Sequence, residues 1–290
     1  MFTGSIVAIV TPFKDGRIDE DAFRELIEIQ IQGGTSAIVP CGTTGESATL
    51  NFREHNRVID IALETARKRV PIIAGTGGNS TSEAIELTEH AKNAGADATL
   101  QVTPYYNKPS QEGLYRHYKA IADAVPLPQV LYNIPSRTGI NMLPETVARL
   151  AELPEVVAIK EGSGSLGQMA EIINLAGDKI VLLSADDNIT LPVLSIGGKG
   201  VISVVANVVP EETAGMVKAW EEGNIEKAKS LFYKLFPLCK AMFYETNPVP
   251  VKTSLFLMGR IRDELRLPLA PLSEANLEKL KKALRDYGLI

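Results

Sequence analysis

Short apolar runs rich in β-branched residues alternate with longer stretches whose apolar positions recur at helical spacing, from residue 4 to about 222. Runs of the first kind, closed by Gly, Pro or small polar residues, predict buried strands at 4–11, 36–40, 71–75, 98–102, 129–133, 156–160, 179–184 and 200–204. The stretches between them predict helices. Asp19 is a fair N-cap for a helix through Gln32, with Phe23, Leu26, Ile27 and Gln30 near one face. A helix over 53–68 turns Val58, Ile59, Ala62 and Leu63 inward. Ser80 and Glu83 have capping-box spacing before a helix ending near Gly95. Further helices fall at 111–124, at 143–153 with Pro144 in its first turn, and at 168–175, 189–196 and 211–222.

Strict strand–helix alternation gives a parallel sheet. Eight units in this length match a closed (β/α)8 TIM barrel, residues 1–223, better than an open doubly wound sheet. No G-x-G-x-x-G follows the first strand, which removes the main support for dinucleotide binding. After Gly223 the pattern changes. Residues 224–242 and 274–287 are helical without intervening strands, so 224–290 reads as a C-terminal helical appendage with no flexible linker before it.

Composition narrows the partners. With 45% hydrophobic and 22% charged residues, the chain of 290 residues is an ordinary globule. Its net charge of −5 and the lack of a basic run argue against nucleic acid. No apolar segment is long enough to span a bilayer and no signal peptide is read, so a cytoplasmic location is expected. Cys41 and Cys239 make no disulfide framework, and His55, His90 and His117 are scattered without metal-ligand spacing.

One residue breaks the strand pattern. The run Val156-Val157-Ala158-Ile159 ends in Lys160, and lysine is rarely buried. Such a lysine often snorkels into water. Alternatively, an apolar setting lowers its pKa and frees the amine as a nucleophile toward carbonyl carbon. Its neighbours decide between these. Barrel enzymes carry their chemistry where strands end and βα-loops begin. Strand two runs into Thr43-Thr44-Gly45-Glu46, strand four into Thr103-Pro104-Tyr105-Tyr106 and strand five into Tyr132-Asn133-Ile134-Pro135-Ser136-Arg137. Strands lie about 4.8 Å apart. Alternation puts Val130 with Tyr132, and Val156 and Ala158 with Lys160, on inward faces. Tyr132 and Lys160 can therefore converge.

An amine there could form an imine with a ketone, and the imine an enamine that attacks an aldehyde. A phenol beside it could move the protons, with Thr43 and Tyr106 extending the relay. Thr44 and Gly45 offer backbone N–H groups for one carboxylate, and Arg137 a planar fork for a second. No glycine-rich phosphate loop follows strand eight, which points to non-phosphorylated substrates and counts against pyridoxal phosphate on Lys160. Taken singly, Tyr132 also fits a core tyrosine, Cys41 apolar filler, and Asp186-Asp187 carboxylates at a helix start.

Gly42-Thr43-Thr44-Gly45-Glu46-Ser47, Tyr132-Asn133-Ile134-Pro135-Ser136-Arg137-Thr138-Gly139 and Lys160-Glu161 resemble the dihydrodipicolinate synthase family, and Pro104 to Pro109 and Thr246-Asn247-Pro248 extend the resemblance over essentially the whole chain. The resemblance implies condensation of pyruvate with aspartate 4-semialdehyde on the way to diaminopimelate and lysine, with no cofactor beyond a covalent imine on Lys160. It implies Thr43, Tyr106 and Tyr132 as the proton relay, with Tyr106 reaching into a neighbour's site across a tight dimer, and two dimers forming a homotetramer. It implies Thr44, with Gly45, as the pyruvate carboxylate turn, Arg137 as receiver of the semialdehyde carboxylate, and pocket-lining roles for Ile202 and Ala185. Ala185 stands where the family usually has Gly. Lysine-inhibited members have an allosteric pocket matching Ser47, Ala48, His55, Asn79, Glu83 and Tyr105. Here Phe52 falls where some of them carry a polar side chain. A sister lyase of sugar acids, and a keto-acid sensor without turnover, are the alternatives. The first fits Ser136-Arg137-Thr138 less well, and the second needs neither Tyr132 nor Tyr106.

Overall fold

A computed structural model describes residues 2–290. Its main sheet has eight parallel strands: β1 (Gly4–Ala8), β2 (Ala37–Val39), β3 (Ile73–Gly75), β4 (Ala98–Val102), β5 (Gln129–Asn133), β6 (Val156–Glu161), β7 (Val181–Ser184) and β8 (Gly200–Ser203). Strand order runs β2-β1-β8-β7-β6-β5-β4-β3, and a parallel bridge from Ile38 to Ile72 joins the two ends. The expected barrel is therefore formed, with helices outside it. Its strands are shorter than the apolar runs. After Ala8, for instance, the Val10 N–H leaves the ladder and donates to the Asn207 side chain at 3.1 Å.

Small alternating side chains fill the interior. Ile6, Ala8, Ala37, Val39, Ile73, Leu100, Val130, Ala158, Leu183 and Ile202 form one buried cluster, and Tyr132 caps it at the carboxyl end. β1 and β8 approach so closely that a Cβ at Gly200, whose φ is +152°, would stand 2.1 Å from the Gly4 carbonyl oxygen. The outer faces of the strands pack on the helices in two further clusters.

One inward assignment is corrected. Val156 packs on the helix side, not in the interior. Gln129 pairs with Val156 but Val130 pairs with Ala158, so the register shifts by one residue between them. This bulge breaks the period-two alternation upstream of Ala158 and leaves Ala158 and Lys160 in phase.

Helix starts follow their caps. Asp19 accepts from the Ala22 N–H before the helix Glu20–Gln32. Asn51 and Glu54 form a full capping box, which starts the next helix at Phe52. At Ser80 only half of the expected box forms, Ser80 accepting from the Glu83 N–H. Besides short 3-10 turns, a hairpin of Phe13–Lys14 with Arg17–Ile18, a helix Pro135–Thr138 and a helix Val249–Leu257 escape sequence reading. The last is buried from Val249 through Leu255, so it has no polar face to create a periodic pattern. It lies between the helices Ile225–Ala241 and Glu274–Tyr287.

Candidate active site

The ends of β5 and β6 place Tyr132 directly opposite Lys160 in the ladder. Lys160 is 5% exposed, and its Nζ lies 4.2 Å from the centroid of the Tyr132 ring. Among the described residues its Nζ has no hydrogen bond and no salt bridge. Burial disfavours the ammonium and pulls the pKa down to about 8; Asp186 and Asp187 oppose this, and Arg137 adds to it. A useful fraction of free amine is thus present near neutral pH. Burial also pushes the Tyr132 phenol up to about 12, against the pull of Arg137 and of the nearby Thr43 hydroxyl. The phenol keeps its proton and can both donate and accept. No hydrogen bond within 3.5 Å yet joins it to Thr43.

The β2 loop supplies the next wall. Cys41 and Glu46 bracket it with left-handed φ values of 56° and 54°. Inside the turn the Gly45 N–H donates to the Gly42 carbonyl at 3.0 Å, so it is spent on the turn and not offered to a carboxylate as expected, and the Gly45 carbonyl accepts from the Thr11 hydroxyl at 2.7 Å. The Thr44 N–H has no acceptor among the described residues. The Thr44 hydroxyl, 2% exposed, accepts from Asn247 Nδ2 at 3.0 Å. Arg137, on the helix Pro135–Thr138, donates to the Asn247 carbonyl at 3.1 Å. A cavity of about 460 Å³ opens here, walled by Thr43, Ile134, Arg137, Thr138 and Asn247, and runs on to Ser47, Ala48, His55, Glu83 and Tyr105.

Behind the strands lies a second polar layer. Glu161, fully buried beside Lys160, accepts from the Ser163 N–H (2.7 Å), from Asn133 Nδ2 (3.0 Å) and from Gln168 Nε2 (3.3 Å). Asn133 in turn reaches Asn141, which reaches Gln168. The residues following Tyr132 and Lys160 are thereby tied to each other and to the segment after Arg137.

A buried lysine on a tyrosine ring, with Arg137 and the Thr44 turn on neighbouring loops, sits in a chain that matches one known family along nearly its whole length. The family model described as "Dihydrodipicolinate synthetase family" matches residues 1–287. The chain belongs to this family. A 4-hydroxy-tetrahydrodipicolinate synthase of Geotalea uraniireducens is 63% identical over 290 residues, covering 100% of both chains. The crystal structure of dihydrodipicolinate synthase from Aquifex aeolicus is similar at 48% identity and a TM-score of 0.98, covering 99% of each chain. A chloride-inhibited dihydrodipicolinate synthase from Acinetobacter baumannii, complexed with pyruvate, matches at 48% identity and a TM-score of 0.98 over 100% of each chain.

The remaining positions singled out in this dihydrodipicolinate synthetase family member are dispersed. Tyr106 is 90% exposed, with φ +68°, and contributes nothing to the cavity of its own chain, whereas Tyr105 lines it. Ile202 is fully buried in the barrel interior. Ala185 is 7% exposed, and its N–H continues the sheet by donating to Glu161 O at 3.0 Å. Its methyl faces Gly162, where a Cβ would meet Ile134 at 2.8 Å and Ala185 at 3.1 Å, so the bare backbone of Gly162 makes the room. Asn79 stands outside the cavity wall, its carbonyl accepting from Asn107. Phe52 is part of that wall. His55 bonds the Gly75 carbonyl through Nε2 and leaves Nδ1 buried without a partner. Burial lowers its pKa to about 4, so the ring is neutral.

Sequence reading missed Asp186 as a neighbour of Lys160. Burial pushes its carboxyl up to about 6, while the lysine charge pulls it down. Asp187 opens the 3-10 turn Asp187–Ile189 that leads into the helix Thr190–Ser195, as expected of a helix-start carboxylate. It accepts from the Val204 and Val205 N–H groups at 3.0 and 2.9 Å and so caps the turn Val205–Asn207. Asn247 and Glu161 fall within motifs quoted for the resemblance but were given no role, since their partners lie far away in sequence or on neighbouring elements. Among the described residues no cluster of three or more His, Cys, Asp or Glu side chains could hold a metal, and no helix is long and apolar enough to cross a membrane.

Proposed function

We propose that this chain condenses pyruvate with L-aspartate 4-semialdehyde to 4-hydroxy-tetrahydrodipicolinate, through an imine on Lys160, in the biosynthesis of diaminopimelate and lysine. The observation that carries the reading is Lys160 itself: buried, held against the Tyr132 ring and without a bonded carboxylate. The neutral amine attacks the pyruvate ketone. The carbinolamine oxygen takes a proton from the Tyr132 phenol and leaves as water, giving the imine. The imine draws electrons, C3 loses a proton, and the enamine carbon attacks the aldehyde, whose oxygen is protonated. The amino group of the second substrate then closes on the imine carbon and releases Lys160. No cofactor enters.

In this reading Thr43 passes protons between Tyr132 and Tyr106. The Thr44–Gly45 turn holds the pyruvate carboxylate, and Arg137 the semialdehyde carboxylate. The backbones of Ala185 and Ile202 border the reacting carbons. Because Tyr106 projects away from its own cavity, it serves a neighbour's site in a tight dimer, and two dimers make a cytoplasmic homotetramer. Residues 1–223 form the catalytic barrel and 224–290 the helical region. The far end of the cavity is a lysine feedback pocket, walled by Ser47, Ala48, His55, Glu83 and Tyr105, with Asn79 just outside the wall. Supporting that, His55 Nδ1 is a free acceptor and Glu83 a carboxylate for an ammonium group. Titration calorimetry showing no heat with lysine would remove the feedback pocket.

Borohydride reduction in the presence of pyruvate tests the central step. The expected adduct adds mass at Lys160, and aspartate semialdehyde is turned over while sialic acid is not. Absence of an adduct would overturn the reading, and turnover of the sugar acid alone would move the chain to the sister lyases.

A further inference from the structure

Thr44 and Arg137 sit on different βα-loops, yet one residue from the helical region after the barrel touches both. Asn247 donates through Nδ2 to the Thr44 hydroxyl at 3.0 Å and accepts from Arg137 through its backbone carbonyl at 3.1 Å. We propose that Asn247 is a positioning residue whose two halves serve the two substrates separately: its side chain aims the Thr44 hydroxyl at the pyruvate carboxylate, and its backbone holds Arg137 for the second substrate. This rests on the function proposed above.

The argument is one of donors and acceptors. A hydroxyl has one proton and two lone pairs. At Thr44 one lone pair is taken by Asn247, and no group among the described residues accepts the proton. That proton remains to be given, and Thr44 is closed off from bulk water at 2% exposure. A carboxylate seated on the turn receives it, together with the unspent Thr44 N–H, as a charge-assisted hydrogen bond. Asn247 is itself 5% exposed, and its Oδ1 is buried with no partner, so the amide is held in place although one of its arms goes unsatisfied. Both anchors of the segment act on the same loop. Lys252 pairs with the Glu46 carboxylate, and the Arg266 N–H donates to its other oxygen at 3.1 Å. The loop carrying Thr44 and the segment carrying Asn247 are therefore tied together at three points.

The two halves separate under substitution. Asn247→Ala deletes the amide but keeps the carbonyl. The KM for pyruvate should rise roughly tenfold or more, the loss expected for a hydrogen bond to a charged group. The KM for aspartate semialdehyde should stay within about twofold, and kcat should fall far less than the pyruvate KM rises. Asn247→Asp puts an acceptor where the donor was, draws the hydroxyl proton away and repels the carboxylate, so its effect on pyruvate should be larger still. In a Thr44→Val background, Asn247→Ala should add nothing. An unchanged pyruvate KM, both KM values rising together, or additive effects in the Thr44→Val background would each overturn the proposal. Should Asn247→Ala fail to fold, the pyruvate-selective rise in Asn247→Asp carries the same test. Borohydride trapping on the unaltered enzyme runs alongside. Failure there overturns the function and this inference with it, whereas normal trapping without the split overturns this inference alone.

Discussion

Two lysines are buried among the described residues, one at a barrel strand end and one in the helical region after it, and they meet opposite fates. Lys252 is 2% exposed, pairs with the fully buried Glu46 carboxylate and stands over the Phe13 ring at 4.3 Å. Lys160 is 5% exposed and stands over the Tyr132 ring at 4.2 Å. Burial lowers both pKa values. At Lys252 the charge and hydrogen bond of Glu46 push back, whereas at Lys160 only the more distant fields of Asp186 and Asp187 do. Burial and an aromatic face are thus common to a strut and to the proposed nucleophile. The difference is a carboxylate in hydrogen-bond contact, which keeps the proton on the amine and ends its chemistry.

Substitutions test this contrast from the largest effect downward. Lys160→Ala should abolish both turnover and the trapped adduct while the thermal melt is retained; residual adduct on another lysine would break the contrast. Tyr132→Phe keeps the ring under the amine and removes only the phenol. A kcat loss of about 10²- to 10⁴-fold is expected, with pyruvate still trapped on prolonged incubation. Lys252→Met leaves the Glu46 carboxylate buried without its cation, which should cost about 3–5 kcal/mol in denaturant unfolding. Joint replacement of Glu46 by Leu should recover much of that loss, and a Lys252→Met protein as stable as its parent would show that the pair is no strut.

The smallest effect concerns pH. In the proposed mechanism the free amine attacks, so kcat/KM for pyruvate should rise with pH and level off above about 8. Asp186 holds the ammonium on, so Asp186→Asn should move this limb to lower pH. A shift to higher pH would reverse the assigned role of that carboxylate. Stability carries the same signature. Between the lowered pKa of Lys160 and that of an unfolded lysine, the unfolded chain binds more protons, so its contribution to stability rises with pH across that window.

Much of this was legible in the sequence because it is local. The strand runs, the Asp19 cap and Lys160 at the end of an apolar strand each announce themselves within a few residues. What stayed hidden is made of distant pairs. Asn247 meets Thr44 across 203 positions and Lys252 meets Glu46 across 206, in a helix with no polar face to mark it. Val156 was misplaced for a different reason: a bulge between neighbouring strands changes parity without leaving a mark in composition. Tyr106 was legible as an aromatic group at a strand end, but its direction is set by a left-handed backbone that no nearby Gly signals.

The Glu46–Lys252 pair also sets an order in time. A ribosome delivers the chain from its amino end at about 5–20 residues per second, so Glu46 emerges roughly 10 to 40 s before its partner. Through that interval the β2 loop holds a carboxylate that cannot yet leave water, and Asn247 is not there to meet Thr44. A nascent chain already long enough to contain Lys160 thus still lacks the two long-range contacts that hold the β2 loop.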